Sequence, residues 1–338
     1  MPSTAEQTAA DARPDAGAAA IRVDQLEHRY RARRGAEPVN ALAGVSFTAR
    51  PGEVFGILGP NGSGKSTLFG ILSTLLQPRG SGSASIFGHD VVAEPAAARQ
   101  QIGVVFQHPS LDAKLTAAEN LRHQGRLYGL GGRALRERID HWLDRFGLAD
   151  RRNEYVERFS GGMRRRVELA KALLHEPKLL LMDEPATGLD PAARREMWHH
   201  LLVLREQQGV TVAVTTHLMD EAERCDRLAI MDRGRLVALD TPGTLKASIG
   251  GEVVRVEPDE TQPNNEPETL ARLIEEQLGP WGEGARPRVV EGEVRFEHPD
   301  GPAVVARVAS TWPGRVQRIS VGQPTLEDVF LDLTGGKL

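Results

Sequence analysis

Short apolar runs alternate with longer amphipathic stretches along most of this chain. Between Val45 and Asp240 the runs are Glu53–Leu58, Ile102–Phe106, Leu179–Asp183, Val210–Thr215 and Leu228–Met231, several of them apolar on consecutive positions. Strands buried on both faces of a sheet read this way, and helical patterns between them predict an α/β domain. Upstream, Ile21 and Val23 alternate with polar residues, as a half-buried strand does. From Leu111 to Glu157 the period turns helical, through Leu121, Leu127, Leu135, Ile139, Trp142, Leu143 and Phe146. This block, about 110–160, reads as a helical insertion.

A composition shift follows Lys246. The pattern predicts a strand over 252–257, an exposed loop through Pro258, Pro263, Asn264, Asn265 and Pro267, and a helix over 268–278. Strands over 288–297 and 315–321 and helices over 302–310 and 324–334 complete a small α+β domain, 246–338. Residues 1–20 are Ala-rich, carry Pro2, Asp11, Pro14 and Asp15, and lack the basic start and apolar centre of a secretory signal. They read as a disordered tail, which leaves 21–245 for the α/β domain. No internal repeat or long heptad run is present.

The 338 residues hold 42 Lys plus Arg against 46 Asp plus Glu, a formal charge of -4 that exerts no general pull toward nucleic acid. Arg29, Arg31, Arg33 and Arg34 form a local basic stretch, read as a solvated hairpin loop. The one cysteine, Cys225, excludes an intrachain disulfide, points to a reducing cytoplasmic setting and reads as a small buried hydrophobe. No apolar run approaches the roughly 18 residues that cross a bilayer, so no spanning segment is expected.

The most specific chemical signal is Gly59-Pro60-Asn61-Gly62-Ser63-Gly64-Lys65-Ser66-Thr67. It fits G-x-x-x-x-G-K-[ST], follows the strand Val54–Leu58 and precedes the helical stretch Thr67–Leu76. Glycines let backbone N–H groups close around phosphates, and the helix N-terminus adds about half a positive charge. Lys65 is then the group for the β- and γ-phosphates, and the Ser66 hydroxyl a ligand for Mg²⁺. Leu179-Leu180-Leu181-Met182-Asp183-Glu184 describes a buried strand ending in two acids. Asp183 is placed to hold Mg²⁺, and Glu184 to polarise an attacking water as general base. Ser160-Gly161-Gly162 opens a further helical pattern, Arg164–His175. Ser160 is a good N-cap, and the two glycines make a second anion-seeking helix start, which suggests a site completed by another subunit. Arg164, Arg165 and Arg166 read as a solvated helix face rather than a nucleic-acid contact.

With Glu184-Pro185-Ala186-Thr187-Gly188-Leu189-Asp190 and His217 following in order, residues 21–245 resemble the nucleotide-binding subunit of an ABC transporter. The resemblance implies a P-loop NTPase fold with a helical subdomain, and further roles. Tyr30 matches the aromatic that stacks on adenine, Gln107 the glutamine that senses Mg²⁺ and the attacking water, His217 the γ-phosphate contact, and Asp190 the acid that crosses a dimer interface. One departure stands out: the family pattern is Leu-Ser-Gly-Gly-Gln, whereas Phe159 and Met163 flank Ser-Gly-Gly here. That variant, Pro109–Asp112, Leu115–Leu121 and Thr325–Leu331 are similar to the daunorubicin-resistance branch of drug and polysaccharide exporters.

The resemblance implies an ATPase that uses ATP and Mg²⁺, works as a head-to-tail homodimer and drives efflux through a separate transmembrane permease, against which the helical insertion presses. It implies peripheral attachment at the cytoplasmic face of the membrane, with dimerisation or regulation left to 246–338. The rival is a soluble ABC ATPase of DNA repair or translation. Against it stand the lack of a long coiled coil inside the cassette and the single phosphate loop. No nucleic acid partner is expected.

Overall fold

The computed structural model of the chain describes residues 19–31, 38–259, 261–263, 265–279 and 286–334. Positions 1–18 of the expected tail, together with Arg33, Arg34 and Asn264, lie outside the described residues. Two compact units are present. One holds the described residues up to Leu218 with Arg224–Leu236, and the other holds Met219–Glu223 with those from Val237 onward. The second unit therefore takes up ahead of the composition shift after Lys246.

In the first unit, β1 (Ile21–Tyr30) and β2 (Val39–Ala49) pair antiparallel, with bulges that re-aim the distal half of β1. The fully buried β3 (Val54–Leu58) runs into α1 (Lys65–Leu72). Short strands β4 (Ser83–Ile86) and β5 (His89–Asp90) extend the antiparallel sheet to the order β2-β1-β4-β5. Next, α2 (Pro95–Gln101) leads directly into β6 (Ile102–Val105). The helical insertion holds α3 (Ala117–Leu127), α4 (Gly132–Arg145) and 3-10 turns at Ala149–Arg151 and Val156–Arg158. A capping box starts α3: the Thr116 hydroxyl accepts from the Glu119 N–H at 3.2 Å, and the Glu119 carboxylate accepts from the Thr116 N–H at 2.9 Å. Leu135, Ile139, Trp142 and Leu143 of α4 are buried as their spacing requires. Leu127, counted in the same pattern, is the last residue of α3 and 83% exposed, because the helix stops before its next turn can face inward.

Then α5 (Gly161–Leu173) precedes β7 (Leu179–Asp183), and α6 (Pro191–Gln208) precedes β8 (Thr211–Thr216). After the short α7 (Met219–Ala222), which counts with the second unit, β9 (Arg227–Asp232) completes five parallel strands in the order β9-β3-β8-β7-β6. Every residue of β3, β7 and β8 is buried, which is why their sequences do not alternate. Each fully buried Leu, Ile, Val or Phe in this layer contributes about 1.5–3 kcal/mol. Cys225 is buried, and its sulfur lies 2.8 Å from where a Cβ on Gly56 of β3 would sit. Parallel register sets Leu58 beside Thr216 and Asp183 beside Thr215, so the carboxyl ends of the strands share one edge. Ligands of open α/β sheets bind outside that edge.

The chain passes from the first unit to the second within β10 (Arg235–Asp240), the strand next to β9, and runs through α8 (Pro242–Ala247) into a four-stranded antiparallel sheet of order β12-β13-β11-β14. Its elements are β11 (Glu252–Pro258), α9 (Pro267–Leu278), β12 (Arg288–Val290), β13 (Glu293–His298), α10 (Gly301–Thr311), β14 (Val316–Gly322) and α11 (Leu326–Thr334). Val254, Val256, Leu270, Ile274, Phe296, Val304, Val308 and Trp312 pack into its core. Two expectations are corrected here. The stretch 288–297 is a hairpin rather than one strand, turned by Glu291 and Gly292 at φ 52° and 84°. The stretch expected as an exposed loop is not exposed throughout, because Pro258 is the buried last residue of β11 and Asn265 is buried. The Asn265 amide donates to the carbonyls of Asp259 (2.9 Å) and Arg315 (2.6 Å), which satisfies both. At the start of α11 the Asp328 carboxylate accepts from Arg255 (2.7 Å) and from the Thr325 N–H and hydroxyl (2.9 and 2.6 Å). Among the described residues no helix is long and apolar enough to cross a membrane.

Candidate functional site

The loop from Gly59 to Gly64 leaves the end of β3 and returns into α1, whose first residue is Lys65. Gly64 caps that helix at φ 104°, and a Cβ there would lie 2.4 Å from the Ala41 carbonyl oxygen, so only glycine makes this turn. The Ser63 N–H donates to the Pro60 carbonyl at 3.2 Å, and the Gly234 N–H donates to the Ser63 carbonyl at 2.9 Å. Lys65 is buried, with its ammonium curled back to donate to the carbonyls of Gly59 (2.7 Å) and Pro60 (3.1 Å). Asn61, Gly62 and Ser66 stay exposed at the mouth, while Thr67 turns inward and shares a 3.2 Å hydrogen bond with the Tyr30 hydroxyl. Tyr30, at the end of β1, is 42% exposed and meets the His28 ring edge-on with centroids 4.6 Å apart. A flat aromatic surface thus stands beside the loop.

Glu184 is the hub. One step beyond β7 it adopts φ 42°, a strained conformation for a non-glycine residue. Its N–H is held there by the Thr215 carbonyl (3.1 Å) and hydroxyl (3.0 Å). Its carboxylate meets the Lys65 ammonium at 3.5 Å, the Gln107 amide at 3.2 Å, the His217 Nδ1 at 3.2 Å and the Thr187 hydroxyl at 3.5 Å. Gln107 follows β6, Glu184 follows β7 and His217 follows β8, so three strand ends and the loop after β3 deliver these groups to one point. The Thr215 hydroxyl also donates to the Asp183 carboxylate.

Charge in this pocket is held against burial. Desolvation pushes the Asp183 carboxyl above its ordinary range and the Thr215 hydrogen bond opposes the shift. Desolvation pulls the Lys65 ammonium down and the Glu184 carboxylate opposes that. An anion beside Lys65 and a cation beside Asp183 would each reverse the local penalty. The oxygens of Ser66, Gln107 and Asp183 are the hydroxyl, amide and carboxylate donors that suit Mg²⁺. That ion takes few protein ligands and keeps phosphate oxygens and water for the rest. No group of three or more His, Cys, Asp or Glu that could hold a metal occurs among the described residues.

A second cluster forms apart from this one. Ser160 caps α5, its hydroxyl accepting from the Met163 N–H at 3.3 Å, and Ser160 and Gly161 are exposed. Gly162 packs so closely on α6 that a Cβ would lie 2.9 Å from the Ala193 Cβ. Asp190 caps α6 by accepting from the N–H groups of Ala192 and Ala193, both at 2.9 Å, and those bonds hold its carboxyl below the usual range. No hydrogen bond or ion pair among the described residues joins Ser160, Gly161, Gly162 or Asp190 to Lys65 or Glu184. Within the described residues of one chain, the buried cluster of Lys65 and Glu184 and the cluster of Ser160 and Asp190 are thus not joined by such bonds.

The structure adds residues that the motifs did not single out, and it corrects one reading. Thr215 and Thr187 orient the two acids. Thr215 is one of three threonines in β8, and only the strand register sets it beside Asp183. The arginines of α5 are not a solvated face. Arg165 is 5% exposed and pairs with the buried Glu168 at 3.0 Å, while donating to the carbonyls of Phe106 (2.8 Å) and Gln107 (3.4 Å). Arg164 donates to the carbonyls of Val156 and Glu157, and Arg166 to Phe146 and the Glu196 carboxylate. Burial makes these groups costly to leave unpaired, so each has found an acceptor.

Comparison with known proteins gives the family. Residues 42–187 match the family described as ABC transporter. The chain is 41% identical over 298 residues to the daunorubicin/doxorubicin resistance ATP-binding protein DrrA of Streptomyces peucetius, covering 87% of this chain and 88% of that protein. It is 40% identical over 302 residues to the Nod factor export ATP-binding protein I of Rhizobium sp. (strain N33), covering 87% and 92%. Among solved structures, cbiO1 of Clostridium perfringens, part of an ABC transporter complex, superposes with a TM-score of 0.61 at 27% identity, covering 77% of this chain and 96% of that one. A dimeric ATP-binding cassette in a post-hydrolysis state with ADP and Pi superposes with a TM-score of 0.59 at 29% identity, covering 65% and 98%.

Proposed function

The chain belongs to the ATP-binding, ATP-hydrolysing subunits of ABC transporters, and from that membership we propose that two copies bind ATP head to tail and drive efflux through a separate membrane permease. The observation that carries the reading is the convergence of Lys65, Gln107, His217 and Thr187 on the Glu184 carboxylate. The separation of the two half-sites supports the head-to-tail arrangement. Ser160, Gly161 and Gly162 of one copy complete the phosphate loop of the other, and Asp190 lies at the seam.

In this reading the base of ATP stacks on Tyr30, and the backbone from Gly59 to Thr67 wraps the phosphates. Lys65 gives up its Glu184 contact for the β- and γ-phosphates. Ser66, Asp183 and Gln107 would hold Mg²⁺, which when bound neutralises charge developing on the phosphate oxygens. Glu184 accepts a proton from the attacking water, while Gln107 and His217 orient that water and the γ-phosphate. Closing and reopening of the dimer carry the helical insertion against the permease, and the subunit sits at the cytoplasmic face of the membrane. The exported molecule is drug-like, a lipid or a polysaccharide; among the relatives, one is named for daunorubicin/doxorubicin resistance and another for Nod factor export. Affinity purification of the tagged chain from detergent-solubilised membranes tests the assignment. A polytopic permease co-purifying with wild type is the expected result. Recovery of ribosomes or DNA alone overturns it.

A further inference from the structure

Three side chains of α5, spaced three residues apart, grip the segment that carries Gln107. Arg165 donates to the carbonyl oxygens of Phe106 at 2.8 Å and Gln107 at 3.4 Å. The Glu168 carboxylate accepts from the Ser110 N–H at 2.7 Å. Lys171 donates to the Ser110 carbonyl at 2.7 Å and to its hydroxyl at 3.2 Å. Arg165 and Glu168 are 5% and 3% exposed and pair with each other at 3.0 Å. The Gln107 amide, at the near end of this segment, donates to Glu184.

We propose that Arg165, Glu168 and Lys171 are positioning residues that fix the 106–110 segment to α5 and thereby set the reach of Gln107 to Glu184. The inference rests on the reading of Glu184 and Gln107 given above. A buried ion pair is a poor device for stability alone, since apolar residues of similar size often do as well or better. What this pair supplies is geometry. The guanidinium is a planar fork that spans two carbonyls and a carboxylate together, which neither lysine nor an apolar side chain reproduces. The N-terminus of the same helix is the Ser160-Gly161-Gly162 half-site, about 7 Å of helix rise from Arg165. A helix is stiff over that length, so a shift of its start when phosphate docks there is carried to Gln107. Each copy would then read phosphate at its α5 start and adjust its own water-positioning residue.

The test is steady-state ATPase kinetics and ATP affinity for wild type, Arg165→Lys and the double variant Arg165→Met with Glu168→Met. Glu184→Gln serves as control, and amide exchange over 106–110 is followed in parallel. Arg165→Lys keeps the charge opposite Glu168 but loses the fork. The expected result is ATP affinity within about twofold of wild type and kcat lower by about tenfold or more. The double variant is expected to stay folded and bind ATP, with reduced kcat and faster exchange at the Ser110 amide. A folded Arg165→Lys or double variant with kcat within about twofold of wild type would overturn the positioning role and leave only a packing role. If Glu184→Gln itself hydrolyses ATP at the wild-type rate, the underlying reading of the site fails instead.

Discussion

Replacing Glu184 by Gln keeps the shape of the hub and removes its charge, so binding and turnover should respond in opposite directions. The Lys65 ammonium and Glu184 carboxylate are 3.5 Å apart, with side chains only 4% and 9% exposed. At an effective dielectric of about 20, such a pair attracts by roughly 5 kcal/mol before desolvation is counted. Burial returns most of that, in keeping with the lowered affinity of Lys65 for its proton, and a charge-assisted bond retains about 1.5–3 kcal/mol net. An arriving triphosphate competes for this same ammonium. Glu184→Gln removes the competitor, so ATP affinity should hold or rise by up to about a hundredfold. Turnover should fall by about 10²–10⁴, the usual worth of a general base. Bound ATP would then persist, and light scattering should show a dimer that wild type forms only transiently. Equilibrium ATP binding and phosphate release measure the two arms. Phosphate release at the native rate refutes the base assignment, and a large loss of ATP affinity refutes the competition between carboxylate and phosphate.

Other expectations concern the supports of the site. Thr215→Val deletes a hydroxyl that donates to Asp183 and accepts from the Glu184 N–H; it should cost about 1–3 kcal/mol, read as a lower urea midpoint. An unchanged midpoint would show that these bonds have substitutes. Gly64→Ala forces a Cβ to within 2.4 Å of the Ala41 carbonyl at φ 104°, so ATP binding should be lost, as measured by equilibrium dialysis; retained affinity contradicts the tight turn. Near the far edge of the sheet, the His175 Nε2 faces the Ile102 carbonyl at 2.9 Å, and its buried Nδ1 has no hydrogen-bond partner among the described residues. Burial, and Arg138 to a lesser degree, keep its pKa below the ordinary 6.5. The folded state therefore favours neutral imidazole: stability is full above about pH 6.5 and declines as acid forces protonation, first in the unfolded chain. Melting temperatures at about pH 7.5 and 5.5 should diverge less in His175→Phe than in wild type, and an equal divergence excludes this histidine as a source.

Much of the site was legible because its physics is local. A loop of glycines between a buried strand and a helix start, and an apolar run ending in Asp183-Glu184, are contiguous, and each implies its chemistry from a few neighbouring residues. Strand ends in the cassette shifted by at most a residue or so, since a run buried on both faces declares itself by composition. The hairpin at Glu291-Gly292 was missed because a two-residue turn hardly interrupts an apolar pattern. Arg165 was misjudged for a different reason. Three consecutive arginines look solvated unless the acceptors are known, and those acceptors are the backbone of Phe106 and Gln107, far away in sequence.

By itself the sequence pointed to a loop that binds phosphate, to an acid pair at the end of a buried strand, and to an α/β pattern interrupted by helices and followed by a composition shift. Only the tertiary structure decided which groups meet. The parallel register brings Gln107, Glu184 and His217 to the end of three adjacent strands, where Lys65 joins them. It also places Ser160 and Asp190 at the starts of α5 and α6, with no hydrogen bond or ion pair from either to Lys65 or Glu184 among the described residues. Motifs record what a short stretch of backbone can bind, whereas distances between strands depend on pairing across residues far apart in the chain, which no single stretch encodes.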